Sequence, residues 1–136
     1  MIIVKATKES EAGVMPEEKL IAAMGAYHEE LGKAGVLLDA TGLHPTSKGF
    51  RVKYTGPKRT VVDGPFTETK ELIAGYTLIK VKSKQEAIEW AKRYPNPRGE
   101  GMDSEIEVRQ LFELEDFTPS EAIDRMRELD MSIKNK

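Results

Sequence analysis

Apolar and polar positions change period several times along the chain, and each change predicts an element boundary. Residues 2–7, IIVKAT, combine β-branched content with an alternating tail and predict a strand. The next stretch, MPEEKLIAAMGAYHEELGKAGV, switches to a helical period. Leu20, Met24, Tyr27 and Leu31 fall at i, i+4, i+7 and i+11, which makes one apolar stripe. Pro16 suits the first turn of that helix, Glu17 and Glu18 complement the positive end of its dipole, and Gly35 supplies the stop.

Strand-like runs follow at residues 36–40, 50–54 and 60–62, with TGPK at 55–58 as the turn between the last two. LIAGYTLIKV, residues 72–81, carries the strongest strand pattern, and neither of its faces reads as a simple solvated one. Ser83 and Glu86 form a capping box for a helix that Pro95 stops. EIEVRQLFEL then alternates as a strand with one apolar face. A last helix is opened by a capping box at Thr118 and Glu121, with Pro119 at its first position.

The order β, α, β, β, β, α, β and a terminal helix predicts a ferredoxin-like α+β domain with one hairpin embellishment. Its antiparallel sheet carries two helices on one face. Residues 1–117 form the domain and 118–136 a C-terminal helical extension. Two helices cover only one face, so the apolar character of both faces of residues 72–81 calls for a second cover. A partner sheet supplies it, and the expected assembly is a homodimer stacked as a dimeric α+β barrel.

At 136 residues the chain fits one such domain, and 39% apolar with 32% charged residues is a globular mixture. It contains no cysteine, which excludes disulfides, thiolate metal sites and cysteine nucleophiles. Two histidines sixteen positions apart, His28 and His44, give no transition-metal spacing, so neither metal nor cofactor is expected. The apolar run at the N-terminus is too short for a signal peptide and no segment is long enough to span a membrane, so a cytoplasmic location is expected. The net charge of −2 lacks the footprint of a nucleic-acid-binding domain. Locally, KGFRVKYTGPKR at 48–59 has five cations and no acid, which reads either as a hairpin protected from edge pairing or as a small anion-attracting surface.

VVDGPFTETKELIAGY, with AGVLLDATGLHP before it and IEVRQLFELEDF after it, resembles the DGPF branch of the YCII-related proteins. The branch signature is Asp-Gly-Pro-Phe-Ala-Glu-Thr-Lys-Glu, and here only Thr67 departs from it. The similarity spans residues 1 to about 117. It implies a ferredoxin-like subunit in dimeric α+β barrels and a cleft between sheet and helices. Related YCII and muconolactone-isomerase-like proteins use that cleft for small-molecule chemistry, some with a His-Asp pair. The superfamily histidine lies eleven residues before the glycine that ends the first helix, where this chain has Met24. Thr41 stands where many relatives place a glutamate.

The candidate residues each have two readings. Asp63 either closes its own turn through an Asx-type bond or acts as a general base at a strand end. His44, held extended by Pro45, is the better placed histidine for acid-base work; His28 sits on the shoulder of the first helix stripe. Glu68 and Lys70 are solvated loop charges or ligand-binding groups, with Lys70 binding an anion and Glu68 orienting it. Tyr76 is a core or interface residue or a proton donor, and Arg109 with Glu107 is a solvated cross-strand pair or polar lining of a barrel cavity. The leading expectation is a small organic ligand bound in a cleft, with cofactor-independent proton transfer, isomerisation or elimination. The rival is a non-catalytic sensor or accessory dimer in which the motif is structural. No nucleic-acid or membrane partner is expected.

Overall fold

A computed structural model describes residues 1–135. Its most regular element is the helix Glu18–Lys33 (α2), which the sequence ends in a specific way. Gly35 takes φ 74°, Gly35 N–H donates to Gly32 O at 3.0 Å, and Val36 N–H donates to Leu31 O at 3.1 Å. This Schellman closure needs a residue at positive φ, which glycine adopts without strain. The start differs from expectation: Glu17 is the N-cap and Pro16 precedes it. The N-terminal strand is also shorter, Ile2–Lys5 (β1). Thr7 leaves the strand to cap a four-residue helix, Lys8–Glu11 (α1), where Thr7 and Ser10 cap each other reciprocally.

The remaining strands are Leu37–Gly42 (β2), Phe50–Thr55 (β3), Lys58–Asp63 (β4), Ile73–Ile79 (β5) and Ile106–Val108 (β6). Four form an antiparallel sheet in the order β2-β5-β1-β6, the spatial order of a ferredoxin-like fold, while β3 and β4 pair only with each other as the embellishing hairpin. The last sheet strand keeps three of its ten expected residues. Beyond Val108 the chain runs on past the end of β1, where Met1 supplies the last two bonds: Arg109 N–H donates to Met1 O, and the Met1 ammonium donates to Arg109 O.

Register assigns the sheet faces. Ile2, Thr77, Val108 and Ala40 line up across the strands, as do Ile3, Tyr76, Glu107 and Thr41 on the opposite side. Thr77 contacts α2, which identifies the helix-covered face. There Tyr27, Leu31 and Val36 form a core cluster with Leu37 and Ile79 of the sheet and with Trp90 and Tyr94 of the second helical layer. That layer is the helix Lys84–Lys92 (α3) with Tyr94 just past its end, and the helix is capped by Ser83 Oγ, which accepts from Glu86 N–H. The capping box is displaced by one position, because the Glu86 carboxylate accepts from Lys82 N–H and leaves Ser83 N–H aside. Tyr27 bridges the helices by donating its hydroxyl to Trp90 O at 2.7 Å.

The final helix is Glu121–Lys134 (α4). Ser120, two residues later than expected, is its cap: its hydroxyl accepts from Ile123 N–H, and Thr118 with Pro119 stays outside the helix. A serine in extended conformation directly before the helix is as good an acceptor as the earlier threonine and satisfies the same orphan donor. Within the chain α4 packs mainly against the short 3-10 turn Leu114–Asp116 that precedes it. The whole chain exposes 10816 Å², whereas a compact monomer of 15.2 kDa exposes about 7,100 Å².

Candidate functional site

The DGPF turn is built by a close approach of two loops. A Cβ on Gly64 would lie 1.8 Å from the backbone oxygen of Thr46, so only glycine fits. Gly64 N–H donates to Gly49 O at 3.0 Å, and Phe66 N–H donates to Thr46 Oγ1 at 3.0 Å. The Thr46 hydroxyl and backbone N–H in turn donate to the Glu11 carboxylate. The turn therefore hangs on Thr46, and Thr46 hangs on α1. The Gly64–Pro65 peptide is cis. The Phe66 ring lies under the Arg51 guanidinium, 3.7 Å from its centroid, which ties the turn to the hairpin.

Asp63 ends β4 with an exposed side chain that makes no hydrogen bond or ion pair to the other described residues. The turn is held by backbone groups and Thr46 instead. Glu68 precedes the 3-10 turn Thr69–Glu71 and caps it with no side-chain bond. Lys70, within that turn, is exposed. His44 lines an open groove of about 470 Å³ with Arg51, Phe66, Glu71 and Leu72. Arg109 lies just past β6, its Nε 3.9 Å from Glu107 Oε2. Tyr76 donates its hydroxyl to Asp39 Oδ2 at 3.3 Å.

A second cleft, of about 530 Å³, lies between α2 and the sheet. Leu20, Ile21 and Met24 form its helical wall, and Ala40, Gly75 and Thr77 are on its sheet side. Gly75 is required there, since a Cβ would meet Thr41 O at 2.9 Å. Tyr76 borders this cleft along β5, but its register turns the side chain to the opposite face, toward Asp39; Asp63, His44, Glu68, Lys70 and Arg109 do not line it. The candidate base His44 and the cleft-bordering Tyr76 thus belong to two different depressions, and Asp63 and Lys70 line neither.

The polar centre of the second cleft is His28. Its Nδ1 is 2.7 Å from Met24 O and its Nε2 is 2.8 Å from Thr77 Oγ1. A carbonyl only accepts, so Nδ1 carries the proton and, in the neutral ring, Nε2 accepts from the Thr77 hydroxyl. Thr77 is 1% exposed, the most buried polar side chain of the sheet. Tyr94 stands beside the pair, its ring centroid 6.1 Å from that of His28. Burial pushes the Tyr94 phenol up, while the Thr77 hydroxyl beside it acts in the opposite direction, so the phenol remains an O–H donor. Lys5, the single Lys or Arg among the lining residues, is paired with Glu105 at 3.0 Å.

Sequence reasoning favoured His44 over His28 and did not single out Thr77. The sequence did carry a trace of Thr77, a polar residue between Gly75 and Ile79 on one face of the most apolar strand. The position eleven residues before Gly35 is also part of this site. Met24 lines the cleft, and its carbonyl orients the imidazole one turn further on.

Among the described residues no helix is long and apolar enough to cross a membrane. An uncharacterized protein of Rhizobium meliloti (strain 1021) is 28% identical over 96 residues, covering 71% of this chain and 77% of that one. The family model described as the YCII-related domain matches residues 1–114, from β1 through the strand β6 and the start of the turn before α4. With that match over most of its length and a ferredoxin-like sheet beneath it, the chain belongs to the YCII-related domain family.

Proposed function

We infer that this protein binds a small, neutral, largely apolar organic molecule in the cleft between α2 and β5. The observation that carries this reading is the buried Thr77 hydroxyl bonded to a cleft-lining imidazole whose tautomer Met24 O fixes. A buried polar pair at the floor of an apolar cleft gives a ligand one place to be oriented. The only cation in the lining is already paired, which favours a ligand without charge.

The chemistry these groups support is cofactor-independent proton transfer. When the Thr77 hydroxyl turns away, Nε2 accepts a proton from an activated C–H of the ligand, Nδ1–H stays on Met24 O, and the Tyr94 O–H stabilises a developing oxyanion. Return of the proton at another carbon is an isomerisation. His28 takes the role of base that the sequence assigned to Asp63 or His44. The DGPF turn, whose motif resembles that of the DGPF branch, acts as a brace between α1 and the hairpin. A second reading, a non-catalytic accessory protein, is favoured by one feature: both His28 ring nitrogens already have partners. The variant His28→Gln separates the two. A catalytic imidazole predicts retained ligand binding with lost turnover, and a binding-only site predicts that binding weakens with no turnover to lose.

The assembly that fits this subunit is a homodimer with stacked sheets. The face bearing Ile3, Tyr76 and Leu78 is opposite the helix-side core cluster, and the surplus exposed surface is more than a permanent interface removes from each partner.

A further inference from the structure

We propose that α4 and the turn before it form an acidic arm that docks on the β3–β4 hairpin of a second copy of this chain. The inference rests on the dimer described above and adds to it an interface outside the sheets. Both elements are incomplete within one chain. A two-stranded hairpin is marginal in water by itself, and so is a single helix of this length. The hairpin pairs only with itself and presents Phe50, Val52, Tyr54 and Val61 on one face, with Phe50 64% and Tyr54 67% exposed. On α4 the stripe of Ala122, Met126, Leu129 and Ile133 is likewise uncovered, with Leu129 and Ile133 each 60% exposed.

Charge selects the pairing. Residues 48–59 hold five cations and no acid, and none of the five makes an ion pair with the described residues; Arg59 shares the apolar face with Tyr54, while Arg51, Lys53 and Lys58 alternate to the other side of the same hairpin. Residues 113–130 hold seven acids and two arginines. One of these, Arg127, is held by Glu115 and Asp124 of the same segment, at 3.7 Å each, so the arm faces outward with an excess of carboxylates. Apolar centres ringed by opposite charge form a specific interface, in which the charges fix register and partner. The arm begins where the match to the family domain ends, so this contact is a property of the extension.

The absence of cysteine makes the test clean. Full-length Val52→Cys and Met126→Cys proteins are mixed and treated with a short bismaleimide, and separately the double variant is treated at high dilution. The proposal expects a covalent dimer in the mixture well above either variant alone, falling as salt is raised. Cross-linking within single chains of the dilute double variant overturns it, because the arm would then dock on its own hairpin. In sedimentation, Arg59→Glu, on the apolar face of the hairpin, is expected to weaken the dimer about tenfold, and adding Glu121→Lys with Glu128→Lys to restore it. A dimer indifferent to charge reversal overturns the arm and leaves the stacked sheets standing. A chain that is monomeric at every concentration overturns both.

Discussion

His28 Nε2 and Thr77 Oγ1 meet at 2.8 Å across the gap between α2 and β5, joining a helix wall to a sheet floor through one hydrogen bond. The two residues are separated by the end of α2, β2, the hairpin and the DGPF turn, and only the antiparallel pairing of β5 between β1 and β2 brings Thr77 under α2. Replacing Thr77 by valine keeps the volume and removes the hydroxyl, so Nε2 loses its partner. The expected cost is about 1–2 kcal/mol in urea unfolding. Nitrogen shifts of the imidazole should report the Nδ1–H tautomer in both proteins, because Met24 O holds that proton, with the Nε2 resonance alone moving when the Thr77 hydroxyl is lost.

Gly64 and Asp63 are neighbours with opposite roles. Gly64→Ala places a methyl group against Thr46 O, which is backbone and has no rotamer to give way, so a loss of about 2 kcal/mol or more is expected. Asp63→Asn touches no bond made by the described residues and should stay within about 0.5 kcal/mol. Paired denaturant titrations check both.

The contrast shows what the sequence made legible. The DGPF run was readable as a turn, but the groups that hold it are Thr46 and Glu11, fifteen or more residues away in a 3-10 turn and a four-residue helix too short to show periodicity. Apolar periodicity located α2 and β5 to within a few residues, because each buries a continuous face. It overextended β6, whose alternation continues after its partner strand has ended, and it missed α1, which is too short to carry a stripe. The cleft depended on which of two histidines faces the sheet, and a helical shoulder position does not decide that without the tertiary packing.

Tyr27 links stability to alkaline pH. Burial first, then the neighbouring Tyr94 and Glu30, push its phenol up to about 12, with Arg93 opposing. The folded state therefore keeps a proton that the unfolded chain releases near pH 10, and by linkage stability falls with rising pH wherever the unfolded state binds fewer protons. The contribution is full below pH 10 and is lost as pH rises toward 12. Tyrosinate absorbance should show a late-titrating tyrosine whose ionisation accompanies loss of near-ultraviolet circular dichroism, and Tyr27→Phe should remove that step.

Leu78 alternates with Thr77 and so lies on the face without helices, beside Asp39. Leu78→Arg leaves the helix-side core untouched and places a charge where the second sheet is expected. The variant should retain its far-ultraviolet spectrum and sediment as a monomer at concentrations where the parent is a dimer.

The most direct measurement is amide chemical-shift mapping of the ¹⁵N-labelled protein against a library of small neutral organic molecules, repeated with Met24→Trp to fill the cleft. The account predicts binders that shift Thr41, Gly75 and Thr77 and lose their effect in the filled variant. Binders that instead shift Leu43, Phe66 and Leu72, in the groove of His44, and are unaffected by Met24→Trp would contradict it.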